Sequence, residues 1–297
     1  MTKLSDDIAF FRAVASRGGP RPDEDAELTS VIDRLWQAAQ GSPSPSDVLN
    51  PVRAIMGFTP ETMQGFAFLK PNGYPGCYEI IDRIYRRYHA ADPALFNWDR
   101  YWQRHPAAQA VRNRKAYFAD VILDAVGRCG EVTVLNVASG PCRDVLELFE
   151  GCPRLPVNVH CVEQDIRAID YAQALCQHHL ERIEFVQRNA FRMKLPRKYD
   201  LIWSAGLFDY LPPIPFVRLL RKLASAIRPG GELVVGNFAA SNPSRAYMEL
   251  IGWSLHHRSS SELLNLAEQA GLSMAKLEVR SDPTGVNLFL HVREDSV

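Results

Sequence analysis

The chain contains no C-x-x-C pair and no cysteine–histidine spacing that ligates a metal. Its six cysteines (Cys77, Cys129, Cys142, Cys152, Cys161 and Cys176) lie scattered, which points to reduced thiols rather than a disulfide scaffold. No window approaches the roughly 20 apolar residues of a membrane span. The first 20 residues carry Lys3, Asp6, Asp7, Arg12 and Arg17, which leaves no apolar core for a signal peptide. A soluble, cytoplasmic protein is therefore expected. Net charge is absent too: 34 basic residues balance 34 acidic ones. That argues against a bulk attraction to nucleic acid or anionic membrane, while leaving room for a local basic patch. Internal repeats and low-complexity tracts are also missing. What remains is an ordinary globular composition over 297 residues, enough for one large domain or one domain with an extension.

The texture of the chain changes once, near residue 126. Before it, helical spacing predicts helices at about 23–40, 48–56, 78–88, 97–105 and 107–126, with Leu28, Ile32, Leu35 and Trp36 marking the first. Residues 1–22 are charged and interrupted by Gly and Pro, and are expected to be loosely held. No alternating strand pattern appears before Val132, so residues 1–125 are expected to be all-helical and residues 126–297 to form an α/β domain. Strands are expected at about 132–138, 157–163, 183–187, 199–205, 231–238, 273–280 and 286–293, with helices between most of them. Strands joined by helices imply right-handed crossovers and a mostly parallel, seven-stranded, doubly covered sheet. The last two strands are separated only by Asp282-Pro283-Thr284-Gly285 and should make an antiparallel edge hairpin.

In such a sheet ligands bind beyond the carboxyl ends of the strands. The first strand runs through V-T-V-L-N-V into Ala138, Ser139 and Gly140, with a helix expected to open at about Pro141. Small turn residues allow close approach of a ligand. A helix opening there would offer the N–H groups of Cys142 and Arg143 to a carboxylate or phosphate. The second strand ends in Glu163, followed by Gln164 and Asp165; an acid at this distance from the glycine turn can accept the hydroxyls of a ribose. Asn189, Ala190 and Phe191 follow the third strand, where an amide and a backbone N–H can read an adenine edge. The fourth leads through Ser204 into G-L-F-D-Y-L, which holds Asp209 and Tyr210. A pyrophosphate needs several glycines for close backbone approach, and this turn has one glycine and a proline without an N–H. S-adenosylmethionine, whose amino-acid tail ends in a carboxylate, fits the turn better than a dinucleotide does.

With these motifs in order, residues 131–240 resemble a class I S-adenosylmethionine-dependent methyltransferase of Rossmann-like fold. The matching stretches are V-L-N-V-A-S-G-P, Glu163, N-A-F, Y-D-L-I-W-S-A-G-L-F-D-Y-L and R-P-G-G-E-L-V-V-G-N-F. G-Y-P-G-C-Y-E at 73–79, A-V-R-N-R at 110–114 and Y-M-E followed by W-S-L-H-H-R at 247–258 are similar to a bacterial subgroup. That subgroup includes methyl-ester synthases for 3-hydroxy fatty acids and enzymes that cyclise S-adenosylmethionine to azetidine-2-carboxylate. The chain departs from the subgroup pattern at Cys77, where the pattern has Asp, and at His257, where it usually has Tyr.

The resemblance implies an enzyme that consumes S-adenosylmethionine and acts on a small molecule of secondary metabolism or signalling, with no metal. Ala138, Ser139, Gly140, Arg143, Glu163, Gln164, Asn189, Ala190, Phe191 and Ser204 would contact it. The helical segment would act as a lid carrying Tyr74, Tyr78, Asn113 and Arg114 over the cofactor, where tyrosines can stabilise a sulfonium. Methyl transfer gives S-adenosylhomocysteine, whereas cyclisation gives azetidine-2-carboxylate and methylthioadenosine, with Asp209, Tyr210 or a backbone carbonyl near Ser204 as acceptors for the amine proton. A reading of a different class comes from residues 83–115, which interleave arginines with Tyr85, Tyr88, Trp98, Tyr101 and Trp102, as a surface for single-stranded RNA would. His256 and His257 could form an acid–base pair, although adjacent side chains on a helix or strand point apart.

Overall fold

A computed structural model describes residues 3–295. Twelve helices are present among them: α1 (Lys3–Ala15), α2 (Asp25–Gln40), α3 (Pro45–Ile55), α4 (Met63–Leu69), α5 (Tyr78–Tyr85), α6 (Phe96–Arg104), α7 (Pro106–Cys129), α8 (Arg143–Gly151), α9 (Ile166–Leu175), α10 (Pro213–Ala224), α11 (Arg245–Leu250) and α12 (Ser260–Gln269). The strands are β1 (Val132–Val137), β2 (Val157–Glu163), β3 (Ile183–Gln187), β4 (Tyr199–Ser204), β5 (Ile227–Phe238), β6 (Leu277–Ser281) and β7 (Asn287–Arg293). The described residues belong to two compact units, one of residues up to 109 with 243–254, the other of residues 110–242 with those from 255 onward. The expected division at 125/126 is displaced for a packing reason. Past its first turn α7 buries Phe118, Val121, Ile122 and Ala125 in one cluster with the strand residues Val132, Val134 and Val157.

The helical unit begins earlier than expected. Residues 3–15 form a helix rather than a loose segment, because Phe11 and Val14, one turn apart, are fully buried. α4 and α11 are short and carry little periodicity, so neither is anticipated by pattern. Tertiary hydrogen bonds hold α4 in place: Asp99 accepts from the N–H of Met63 (2.7 Å) and of Ala90 (2.7 Å), and Thr62 accepts from Gly65 N–H (3.0 Å). The Tyr247 hydroxyl of α11 donates to Gln64 Oε1 at 2.8 Å. Three of the five aromatic residues that suggested an RNA surface are spent inside this unit, and Tyr85 and Tyr88 are half-buried. Trp98, Tyr101 and Trp102 are buried, and Arg100 makes two 2.7 Å bonds to the carboxylate of Asp25. Arg83 lies over the Phe66 and Tyr88 rings and donates to Glu79. No exposed stacking row is left among these three rings, which corrects that reading.

The second unit is a seven-stranded sheet in the order β3-β2-β1-β4-β5-β7-β6. β1 through β5 pair in parallel, and β7 runs antiparallel to both β5 and β6. β-Branched and leucine side chains alternate across it. Val132 and Val134 face α7 and α8, while Leu135 and Val137 face the cluster built by α10 and α12. The strand expected from 231 begins earlier, at Ile227, and the segment R-P-G-G is an irregularity inside it, where the register shifts between Tyr199 paired with Ile227 and Leu201 paired with Glu232. β6 starts at Leu277, later than 273, because a single 3-10 turn occupies Met274–Lys276. The strand order reverses between β1 and β4, which places a crevice at their carboxyl ends.

Candidate active site

The turn after β1 is built from three left-handed residues: Ala138 (φ 55°), Gly140 (φ 57°) and Cys142 (φ 53°). A Cβ at Gly140 would meet no atom within 4 Å, so its glycine answers to backbone conformation and the space beside it is open. The helix opens later than predicted. α8 begins at Arg143, and Pro141 lies within the turn. Nor is the Cys142 N–H free, since it donates to Ser139 O at 3.4 Å. The anion site expected from a helix opening at Pro141 is therefore not formed in that way. What the turn does hold is a buried Ser139 Oγ without a hydrogen-bond partner.

Glu163, at the end of β2, is buried and accepts three backbone hydrogen bonds. Oε1 takes the N–H groups of Gln164 (2.7 Å) and Asp165 (3.1 Å), and Oε2 takes that of Gly140 (3.1 Å). One carboxylate thus ties the ends of β1 and β2 together. An ionised carboxylate offers about four acceptor positions, so one remains. Beyond β3, Asn189 donates to Gln164 Oε1 (2.9 Å) and accepts from Phe191 N–H (2.9 Å). The carbonyls of Ala190 and Phe191 receive Lys222 Nζ of α10 at 3.0 and 2.9 Å. These three residues and Gln164 form one braced rim. Ser204 differs from expectation. Its hydroxyl is fully buried and donates to Val137 O (3.0 Å), so it stitches β4 to β1.

Two residues of α7 turn in different directions. Arg114 is buried at the β1/β4 crevice, where Nη1 donates to Ala205 O (3.0 Å) and lies against Gly206, while Nε is buried without a partner. Asn113 instead donates to Asp282 Oδ2 (2.7 Å) in the β6–β7 turn. Asp209 is buried, and Oδ1 accepts from Phe238 N–H at 2.6 Å. Desolvation pushes its pKa up to about 6, against the opposing pull of that N–H and of Arg114 and Arg258. Asp144, at the start of α8, is likewise raised to about 6 by desolvation, opposed by the Val145 N–H and Arg114. Tyr210 follows Asp209 in a single 3-10 turn and is half-buried. Tyr74 and Tyr78 belong to the helical unit, both half-buried, with Tyr78 opening α5. Cys77 is the N-cap residue of α5, its Sγ receiving Asn72 Nδ2 at 3.3 Å. Aspartate is a preferred N-cap, so this departure from the subgroup falls on a helix cap.

Two residues of the W-S-L-H-H-R stretch complete the rim. Arg258 is buried and donates to Asn237 Oδ1 (2.6 Å), Phe208 O (3.2 Å) and Leu211 O. His257 faces Asn242 Nδ2 through Nε2 (3.1 Å) and Leu255 O through Nδ1 (3.3 Å). In sequence the segment was marked by the stretch W-S-L-H-H-R and its dipeptide His256-His257, but the partners of Arg258, on β5 and on the loop after β4, are remote in sequence. Among the described residues no group of three or more His, Cys, Asp or Glu side chains could hold a metal ion, and no helix is long and apolar enough to cross a membrane.

Residues 134–231 match the family model of a methyltransferase domain. No curated protein matches the chain. Among solved structures, a possible exported protein from Bordetella parapertussis is 19% identical with a TM-score of 0.62, the alignment covering 99% of this chain and 98% of that one. Magnesium protoporphyrin IX methyltransferase from Synechocystis PCC 6803, with bound S-adenosylhomocysteine, is 16% identical with a TM-score of 0.52, over 72% of this chain and 93% of its own. A putative O-methyltransferase from Nostoc punctiforme PCC 73102 is 15% identical with a TM-score of 0.52, over 98% and 94%. The second unit therefore has the Rossmann-like fold of these structures, and residues 134–231 within it are similar to a methyltransferase domain.

Proposed function

We propose that the α/β unit binds S-adenosylmethionine and directs its methyl group to a small molecule, acting in the cytoplasm in secondary metabolism or signalling. The observation that carries this is a pair of buried, unpartnered polar atoms at the β1/β4 crevice, Ser139 Oγ and Arg114 Nε. Buried donors without partners cost stability unless a ligand answers them. A methionine carboxylate supplies the acceptors that both lack. The role of Arg114 thus moves from the acceptor side to the tail of the cofactor. Glu163 would use its remaining acceptor position for a ribose hydroxyl, and the Asn189–Phe191 rim would frame the adenine. Bound there, S-adenosylmethionine supplies a methyl group activated by a sulfonium. The protein's own residues then align the acceptor and exclude water. Asp209, fixed by Phe238 N–H, holds the loop that carries Tyr210. Tyr74, Tyr78 and Asn113 remain acceptor-side candidates, each answerable by substitution.

The test is product analysis. Pure protein is incubated with S-adenosylmethionine alone, then with cell extract depleted of macromolecules, and the nucleoside products are identified by mass spectrometry. S-adenosylhomocysteine that accumulates only with extract is expected. Methylthioadenosine with a four-membered ring amino acid from S-adenosylmethionine alone would replace methyl transfer by cyclisation.

A further inference from the structure

His256 is mounted on the carboxyl edge of the sheet by its backbone. Its N–H donates to Asp209 O (2.8 Å), and its carbonyl accepts from Asn237 Nδ2 (2.9 Å) with Arg258 Nη1 at 3.5 Å. Asp209 lies on the loop after β4, and Asn237 is the penultimate residue of β5. Both anchors therefore belong to the rim where the crevice opens. The imidazole itself is exposed and makes no hydrogen bond among the described residues, in contrast with His257, whose two nitrogens both face partners. Asp209 offers less as a proton acceptor, since its carboxylate is buried and engaged by Phe238 N–H.

We propose that His256 is the general base for methyl transfer, which assigns the acceptor to molecules whose nucleophile is a hydroxyl or an N–H. This rests on the methyl-transfer reading above. A carboxylate acceptor is already ionised at neutral pH and needs no base. In the step, the acceptor oxygen or nitrogen forms its bond to the methyl carbon as the carbon–sulfur bond breaks. The sulfonium takes that electron pair and becomes a neutral thioether. The acceptor's proton passes to the free nitrogen of His256, and the imidazolium then returns it to water. The charged group acting on His256 is Arg258 from its own segment, with His257 adjacent; Asp209, from the loop after β4, meets it through its backbone carbonyl, its carboxylate being turned to Phe238 N–H. Partial desolvation and the Arg258 guanidinium hold the pKa of His256 below the ordinary histidine value, so the ring is neutral and able to accept at pH 7.

The experiment follows the His256 imidazole by NMR, its resonance identified by loss in His256→Gln. Its pKa is measured in the free protein and in complexes with S-adenosylmethionine and S-adenosylhomocysteine, with calorimetry on the same samples recording binding. The two ligands differ by the positive sulfonium at the reacting centre. A base facing that centre should titrate lower by about half a pH unit or more in the S-adenosylmethionine complex. Equal values with both ligands bound overturn the assignment. Failure of both ligands to bind overturns the cofactor reading beneath it. Methyl-ester formation from a medium-chain carboxylate at equal rates in wild type and His256→Gln would also overturn it.

Discussion

Glu163 does two jobs with one carboxylate, and the two can be separated by a single-atom change. Its Oε1 holds the Gln164 and Asp165 N–H groups and its Oε2 holds Gly140 N–H. In Glu163→Gln the amide oxygen can keep the first pair, but the amide nitrogen then meets Gly140 N–H, donor against donor. The fold survives on the remaining strand pairing, while the link between the β1 turn and β2 is lost together with the charged acceptor proposed for ribose. Hydrogen bonds to charged groups contribute about 1.5–3 kcal/mol, so S-adenosylmethionine affinity should fall by about 10- to 100-fold. Calorimetry measures the affinity and a thermal melt checks the fold; unchanged affinity in a folded variant would remove Glu163 from the ribose. The place of Glu163 at the end of β2 was legible in sequence because its distance from the glycine turn is set by one β-α-β crossover. Ser204 and Cys142 were not, because their partners, Val137 O and Ser139 O, are decided by how strand ends and turn close in space.

At the scale of elements, the antiparallel β5–β7 pair is joined by a cluster around the buried Glu232 and His291, with Arg128 and Arg293 reaching in from the surface. Glu232 Oε1 receives His291 Nδ1 (2.6 Å) and Arg293 Nε (3.1 Å), Oε2 receives Arg128 Nη2 (3.1 Å), and Tyr117 OH meets His291 Nε2 (2.7 Å). Burial alone would raise the Glu232 pKa, but the His291 and Arg293 contacts overrule it and hold the value down to about 2. A carboxylate depressed in the folded state stabilises it above the unfolded value near 4.5, and that contribution is lost as pH falls toward about 2. Removing one member of a buried ion pair costs about 3–5 kcal/mol. Glu232→Gln should therefore be destabilised by roughly that amount at pH 7, with the gap to wild type narrowing between about pH 4.5 and pH 2. Urea unfolding across that range measures it, and a gap independent of pH would show that the cluster is not what links β5 to β7. The strands themselves were readable from sequence, since runs such as V-T-V-L-N-V are buried on both faces. The short helices α4 and α11 were not: they are held by Asp99 and Gln64, residues remote in sequence. The shift of register inside β5 hid behind a segment, R-P-G-G, that looks like a turn anywhere.

Across the whole molecule, helix α7 explains why the boundary between units escaped the sequence. It runs unbroken from Pro106 to Cys129, with no glycine or proline between residues 107 and 126, yet its residues divide between the two units at 109/110. The sheet does the opposite: it gathers pieces far apart in the chain. Arg114, Ser139, Glu163 and Asn189 come from four segments, and in three places they are already tied to another rim segment, Arg114 to Ala205, Gly140 to Glu163 and Gln164 to Asn189. A ligand that satisfies one segment should therefore tighten the others through bonds that exist before it arrives. Hydrogen–deuterium exchange with and without S-adenosylmethionine tests this directly. Protection should rise together at 138–143, 163–165 and 189–191, at one common ligand concentration, and by about 2–3 kcal/mol at hundredfold excess over Kd for amides that open by global unfolding of the unit. Protection confined to one segment, or appearing at separate concentrations, would mean that the rim is a set of independent loops and not one site.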